Sequence, residues 1–198
     1  QQGRAPNSSY TGAYDTYISQ NNPTTNFGSS TKLLVDGDDP AGSGRDLSAL
    51  LYWDISSFPG DPDRIVEAAI TITVTNLSRG QFYLYALEKP WSESRATWQA
   101  ADSGLAWSAP GATDFTRPDI DRSTAVLAIF KPSRTGTYTV RLTTEGLNHL
   151  KAVLHNRRVY HGFILTHPNT TDGLDFYSRN YSNAKYRPVL SIRYEVVP

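Results

Sequence analysis

Ala68-Ala69-Ile70-Thr71-Ile72-Thr73-Val74-Thr75 alternates aliphatic and hydroxyl side chains without a break from Ile70 onward. Successive side chains of a strand point to opposite faces, so Ile70, Ile72 and Val74 fall on one face and Thr71, Thr73 and Thr75 on the other. A strand with one buried and one solvated face belongs to an antiparallel sheet that packs on one side only. Phe82 to Leu87 reads as its neighbour, with Phe82 and Leu84 on one face and Tyr83 and Tyr85 on the other.

Outward from this pair, the chain continues as short apolar runs broken by turn residues. On the N-terminal side, strands are expected over Ala13–Ile18, Lys32–Val35 and Leu47–Ile55, and residues 1–12 form a flexible polar arm. On the C-terminal side, strands are expected over Ala125–Phe130, Tyr138–Leu142, Tyr160–Thr166, Leu174–Ser178 and Val189–Val196. One helix interrupts them. Thr143 is its N-cap, Glu145 sits in its first turn, and Leu147, Leu150 and Leu154 share a face. The stretch from Trp91 to Asp121 is rich in Gly, Pro and Asp and has too few apolar residues to bury a core of its own. It is expected as an excursion of one domain, residues 13–198. Roughly ten short strands at this spacing predict an all-β, jelly-roll-like sandwich with one short helix.

Composition narrows the function classes. The net charge is +0, and no basic stripe marks a nucleic-acid or membrane surface. No apolar run approaches the roughly 20 residues of a spanning helix. Cysteine is absent, which removes disulfides, thiolate metal sites and cysteine nucleophiles together. The polar start Gln1-Gln2-Gly3 reads as a mature terminus after signal removal, so a secreted or cell-surface protein is expected. Asn7, Asn76, Asn169 and Asn180 each open an Asn-x-Ser/Thr sequon.

Several segments resemble, in order, the DNRLRE-type domain, also classed as carbohydrate-binding module family 96. They are Ala13-Tyr-Asp15-Thr-Tyr-Ile, Asn22-Pro23 to Asn26-Phe-Gly28, Leu33-Leu-Val35, Leu50-Leu-Tyr-Trp-Asp54-Ile-Ser56 and the strand at Ala68. Trp91-Ser-Glu93-Ser-Arg-Ala-Thr97-Trp98 is similar to its Trp-x-Glu-x-x-x-Thr-Trp signature. Gly162-Phe-Ile-Leu165 and Phe176-Tyr-Ser178-Arg through Arg187-Pro188-Val-Leu complete the series. The resemblance spans about residues 13 to 195. It implies a secreted β-jelly roll associated with polysaccharide-processing or surface proteins, with alginate-type binding in some members. Two features depart from it: Asn180 stands where the family carries an acid, and Ala100–Thr124 is long.

Each chemical candidate has a structural alternative. Trp91, Glu93, Thr97 and Trp98 either form a platform for sugar rings or pin a loop, with Glu93 accepting backbone hydrogen bonds. Tyr83 and Tyr85, with Tyr138 and Arg141 or with Arg179, Tyr181, Lys185 and Arg187, suit an acidic polysaccharide through stacking and carboxylate pairing. Cross-strand stabilisation of the sheet is the alternative. Asp36, Asp38 and Asp39 in a glycine-rich loop, joined by Asp15 and Asp175 from nearby strands, are expected metal ligands for a structural calcium. The spacing is not that of an EF-hand. The four histidines fall in no ligand pattern, and no Gly-x-Ser-x-Gly or phosphate loop occurs.

The expected function is a secreted, non-catalytic module that binds an extended polysaccharide, for which an acidic polymer fits the tyrosine and arginine set. No catalytic residue is named, although a polysaccharide-degrading enzyme on the same fold is the minor alternative. The other alternative is a structural subunit of an extracellular filament, matrix or adhesin, self-associating through residues 1–12 at a neighbour's sheet edge.

Overall fold

The computed structural model describes residues 1–37, 40, 42–114, 120–167 and 169–196. Its strands are β1 (Ala13–Ser19), β2 (Lys32–Val35), β3 (Leu47–Trp53), β4 (Ile65–Asn76), β5 (Phe82–Ala86), β6 (Ala100–Asp102), β7 (Leu105–Ala106), β8 (Ala128–Phe130), β9 (Gly136–Arg141), β10 (Phe163–Thr166), β11 (Leu174–Tyr177) and β12 (Val189–Tyr194). The helix α1 (Thr144–Leu154) lies between β9 and β10.

Two antiparallel sheets face each other. The first runs β1-β3-β10-β5-β8. In the second, β9 takes one edge of β4 while β11 pairs at Val74–Asn76 and β12 at Ile65–Thr71. Removing β1 and β12 leaves β3-β10-β5-β8 against β2-β11-β4-β9, the interleaved order of two Greek keys folded into a jelly roll. The sandwich expected from the alternating strands is therefore the fold observed.

The pleat of β4 explains the packing. Ile70, Ile72 and Val74 are buried between the sheets, while Thr71, Thr73 and Thr75 face outward, where Thr71 and Thr139 share a hydroxyl hydrogen bond of 2.8 Å. They meet Ala49, Leu51 and Trp53 of β3, Phe82 and Leu84 of β5, and Phe163 and Leu165 of β10 in one core. Thr143 caps α1 through a 3.1 Å bond from the Gly146 N–H. The face that α1 buries is Gly146, His149, Leu150 and Val153, rotated from the expected leucine face so that Leu147 and Leu154 are only half-buried. Gly146 explains the rotation. A side chain there would meet the Leu127 carbonyl oxygen at 2.5 Å, so the helix approaches β8 through its glycine.

The excursion after β5 builds a second, smaller core on the outer face of the first sheet. Trp98, Trp107, Ala96, Ala101 and Ala112 cover Ile18, Leu50 and Ile164. Asp121 closes its base. Fully buried, that carboxylate accepts the Ser108 and Ala109 N–H groups at 2.9 Å each and pairs with Lys89 at 2.9 Å.

Residues 1–12, expected as an arm, lie against the sandwich in this structure. Gln1 donates its amide to the Arg187 carbonyl at 2.8 Å, Gln2 accepts the Ala13 N–H at 3.1 Å, and the Tyr10 hydroxyl donates to the Asp54 carbonyl at 3.0 Å. No helix of the described residues is long and apolar enough to cross a membrane.

Candidate functional site

A cleft of about 490 Å³ opens where β1, β3, the start of the excursion and the segment before β10 converge. Its floor and walls are aromatic: Tyr14, Tyr52, Tyr160 and Trp91, with Pro90, His161 and Glu93 completing them. Register makes the tyrosine row. Tyr14 and Tyr52 are cross-strand partners of β1 and β3, and their rings lie 5.7 Å apart. Tyr160 stands 5.0 Å beyond Tyr52. Tyr14 and Tyr52 turn from the core because their strand neighbours, Ala13 and Leu51 with Trp53, occupy the inward positions. Tyr160 instead packs edge-on against the core residue Phe163 at 5.8 Å and is half-buried between core and cleft. Trp91 is fixed by an indole N–H donated to the His161 carbonyl at 2.8 Å. Tyr52 and Tyr160 also line an adjoining groove of about 550 Å³, whose far side carries Asn156, Arg157, Arg158 and Val159. The two depressions adjoin at Tyr52 and Tyr160, and the trough they make carries Asp54 as well as the two arginines.

Glu93 forms the polar wall of the cleft. It accepts the Asp15 N–H at 2.9 Å and a forked pair from the Arg179 guanidinium. Arg179 also lies 5.7 Å from the Tyr14 ring, within cation–π range. Beneath it, Asp15 accepts the Arg179 N–H at 2.7 Å and is almost fully buried. Burial pushes the Asp15 carboxyl up to about 7, a rise that the Arg179 N–H opposes and the negative Glu93 assists.

The Trp91–Trp98 signature divides between its two expected roles. Trp91 and Glu93 line the cleft. Trp98 is buried in the cover, and Thr97 ties the loop: its hydroxyl accepts the Gln99 and Ala100 N–H groups, and its carbonyl accepts the Trp107 indole.

The remaining candidates are dispersed. Tyr83 and Tyr85 do point outward from β5, but Tyr85 packs beside the cover with Arg122 4.1 Å above its ring, and Tyr83 leans on His167. Tyr138 and Arg141 are separated by the pleat of β9. Tyr138 turns inward, accepting the Lys131 N–H at 2.9 Å, while Arg141 pairs with Glu67 outside at 2.9 Å. The loop after β11 holds Arg179, Tyr181, Lys185 and Arg187, yet only Arg179 reaches the cleft wall. Arg187 spends its guanidinium on the Tyr181, Ser182 and Gln2 carbonyls.

The expected metal ligands among the described residues do not gather either. Asp15 lies under Arg179, whereas Asp175 sits on β11 opposite Leu34, its carboxyl raised by burial and opposed by Lys32 and Asn76. Asp36 bridges to Leu47 with its carboxylate over Gly173. Asp38 and Asp39 lie outside the described residues. Among the described residues no three acidic or histidine side chains converge, so Asp15, Asp36 and Asp175 do not fit a shared calcium site.

Asn180, where the family pattern has an acid, donates its amide to the Gly28 and Ser30 carbonyls at 2.7 and 3.4 Å. A carboxylate offers no such donor, so the departure is a loop staple here. Tyr14, Tyr52, Tyr160, Pro90 and His161 escape a reading of the sequence because they come from separate segments. The one available signal is phase, since Tyr14 and Tyr52 fall on the non-core beat of their strands.

Comparison with curated proteins finds no match. The sequence model of carbohydrate-binding module family 96 matches residues 6–194, nearly the whole chain and every element that shapes the cleft, and the chain belongs to that family.

Proposed function

We propose that the protein is a secreted, non-catalytic module that holds an extended polysaccharide in the trough from Trp91 to Arg157. The observation that carries this reading is the row of Tyr14, Tyr52 and Tyr160 beside Trp91, in a cleft of about 490 Å³. Sugar rings present apolar C–H faces that stack on aromatic side chains, and their hydroxyls need polar neighbours such as Glu93 and His161. The rings are set in place before ligand arrives by strand register and by the Trp91–His161 bond, which lowers the ordering cost of binding.

Arg157 favours an acidic polymer. It is exposed in the groove beyond Tyr160, where its fork suits a uronate carboxylate. A catalytic reading has less support in the cleft, because its one carboxylate, Glu93, is committed to Arg179 and to a backbone N–H.

Affinity electrophoresis tests the reading, with alginate, polygalacturonate and hydroxyethyl cellulose in the gel, each with calcium and with chelator. The wild-type chain is expected to be retarded by a uronate polymer. Tyr52→Ala should abolish the retardation, and Arg157→Ala should remove the preference for the acidic gels. Migration indifferent to every polymer would overturn the assignment.

A further inference from the structure

The loop after β11 carries a second aromatic surface that the trough does not use. Tyr177 and Tyr181 stack at 3.6 Å with their planes 16° apart, and Tyr186 stands 6.2 Å from each. None of these rings lines the cleft or its adjoining groove. All three are half-buried, and Tyr177 faces away from the core because Phe176 takes the inward position.

This surface is built rather than left over. Arg187 braces the loop from below through the Tyr181 carbonyl at 2.8 Å and the Ser182 carbonyl at 3.4 Å. Asn183 caps the turn Ala184–Tyr186 by accepting the Lys185 N–H at 3.1 Å. The stack is thus held in one geometry without help from a ligand. Two exposed cations flank it: Lys185, whose ammonium lies 5.8 Å from the Tyr186 ring, and Lys32, the cross-strand partner of Tyr177, whose charge also acts on Asp175 two positions along β11.

We infer that Tyr177, Tyr181 and Tyr186, with Lys32 and Lys185, form a second glycan platform that makes the module bivalent toward one polysaccharide. The occupant is a pyranose of an anionic glycan: the free face of the tyrosine stack takes the ring and the lysines take its charge. The platform rests on the carbohydrate-binding reading of the chain alone, and the bivalence rests on the trough as well. A polymer that engages both surfaces is held by avidity, since the second contact forms at the effective concentration set by the first.

Titration calorimetry with hexasaccharides of mannuronate and galacturonate counts the sites, and gel retardation in the matching polymers reads avidity. Wild type should bind two short oligosaccharides per chain. Tyr181→Ala and Tyr52→Ala should each bind one, and each should lose about 100-fold in affinity for the long polymer. Tyr181 is a solvent-facing loop residue, and circular dichroism checks that its variant folds. One site in wild type with Tyr181→Ala silent would overturn the platform and leave the trough standing. One site lost only in Tyr181→Ala would retain the platform and remove the trough. No binding to either oligosaccharide would overturn both.

Discussion

Arg179 grips both carboxylate oxygens of Glu93, and with that pair the loop after β11 is tied to the start of the excursion over the opposite sheet. The ends of the pair are mostly buried, with Arg179 at 23% and Glu93 at 13% side-chain exposure. The pair fixes one wall of the cleft, and it draws the Arg179 backbone over Asp15. Structure and ligand surface are therefore coupled at this point.

Arg179→Ala should leave Glu93 charged beside Asp15 with only one backbone donor. Breaking a buried pair from one side costs about 3 kcal/mol. Urea denaturation should show that loss, and polysaccharide affinity should fall with it as the wall loosens. Arg179→Lys should recover only part of either, because an ammonium cannot fork to two oxygens. Wild-type stability in Arg179→Ala would show that the pair contributes nothing.

Trp91→Ala separates binding from folding. Its indole lines the cleft while Trp98, seven residues on, is buried in the cover. Trp91→Ala is expected to weaken glycan binding at least tenfold with little change in melting temperature. Trp98→Ala should remove about 3–5 kcal/mol of stability, as large aromatic truncations in cores do. Equal effects of the two on the melting temperature would contradict the division of the signature.

How much of this was legible beforehand follows from which contacts are local. The alternation at Ile70–Thr75, the Thr143 cap and the turn residues act over a few positions, so the sandwich could be read strand by strand. The cleft depends on Tyr14 meeting Tyr52 and on Tyr160 arriving from a segment over a hundred residues away. Tyr138 and Arg141 stand three positions apart on β9, an odd spacing that the pleat sends to opposite faces. Asp15 and Asp175 carry the same side chain on strands that sequence cannot place relative to each other, and in the fold Asp15 lies under Arg179 while Asp175 lies beside Lys32. Residue type could be read directly, whereas convergence required the register of both sheets.

Two buried groups should give stability opposing pH slopes. Burial first, and then Arg158, push the His149 ring down to about 4, so the folded state binds its proton less readily than the unfolded chain. Its contribution is present above pH 6.5 and is lost as pH falls toward 4. Asp15 works the other way: with its carboxyl raised to about 7, stability is greatest below pH 3.8 and declines as pH rises to 7. At about 1.4 kcal/mol per pKa unit, the His149 slope spans about 3–4 kcal/mol and the Asp15 slope about 4–5 kcal/mol. His149→Leu should keep the contact with Phe163 and expose the Asp15 slope, giving a protein more stable at pH 4.5 than at pH 7. A flat profile in that variant would refute the assignment to Asp15.

Gly111 tests how tightly the cover is closed. Its φ is +83°, and a Cβ there would meet the Trp98 ring at 2.5 Å, while its N–H donates to the Trp98 carbonyl at 2.6 Å. Gly111→Ala therefore strains the backbone and displaces the indole at once. Hydrogen exchange should quicken in the cover, around Thr97–Trp107, and stay slow in β4 and β11, which belong to the second sheet and do not touch the cover's core. Uniform acceleration would mean that cover and sandwich open as one unit.

Asn180→Asp restores the acid of the family pattern and asks whether it belongs in this chain. The amide now satisfies the Gly28 and Ser30 carbonyls. A carboxylate would face those oxygens with no proton to offer, and losing the bonds while leaving acceptors opposed costs about 1–3 kcal/mol. The strain falls on the loop that also presents Arg179 and Tyr181, two residues apart around Asn180. Asn180→Asp is therefore expected to lower the melting temperature and to weaken glycan binding together, in calcium and in chelator alike. Stabilisation of the variant by calcium alone would instead reveal a metal site that the asparagine has silenced.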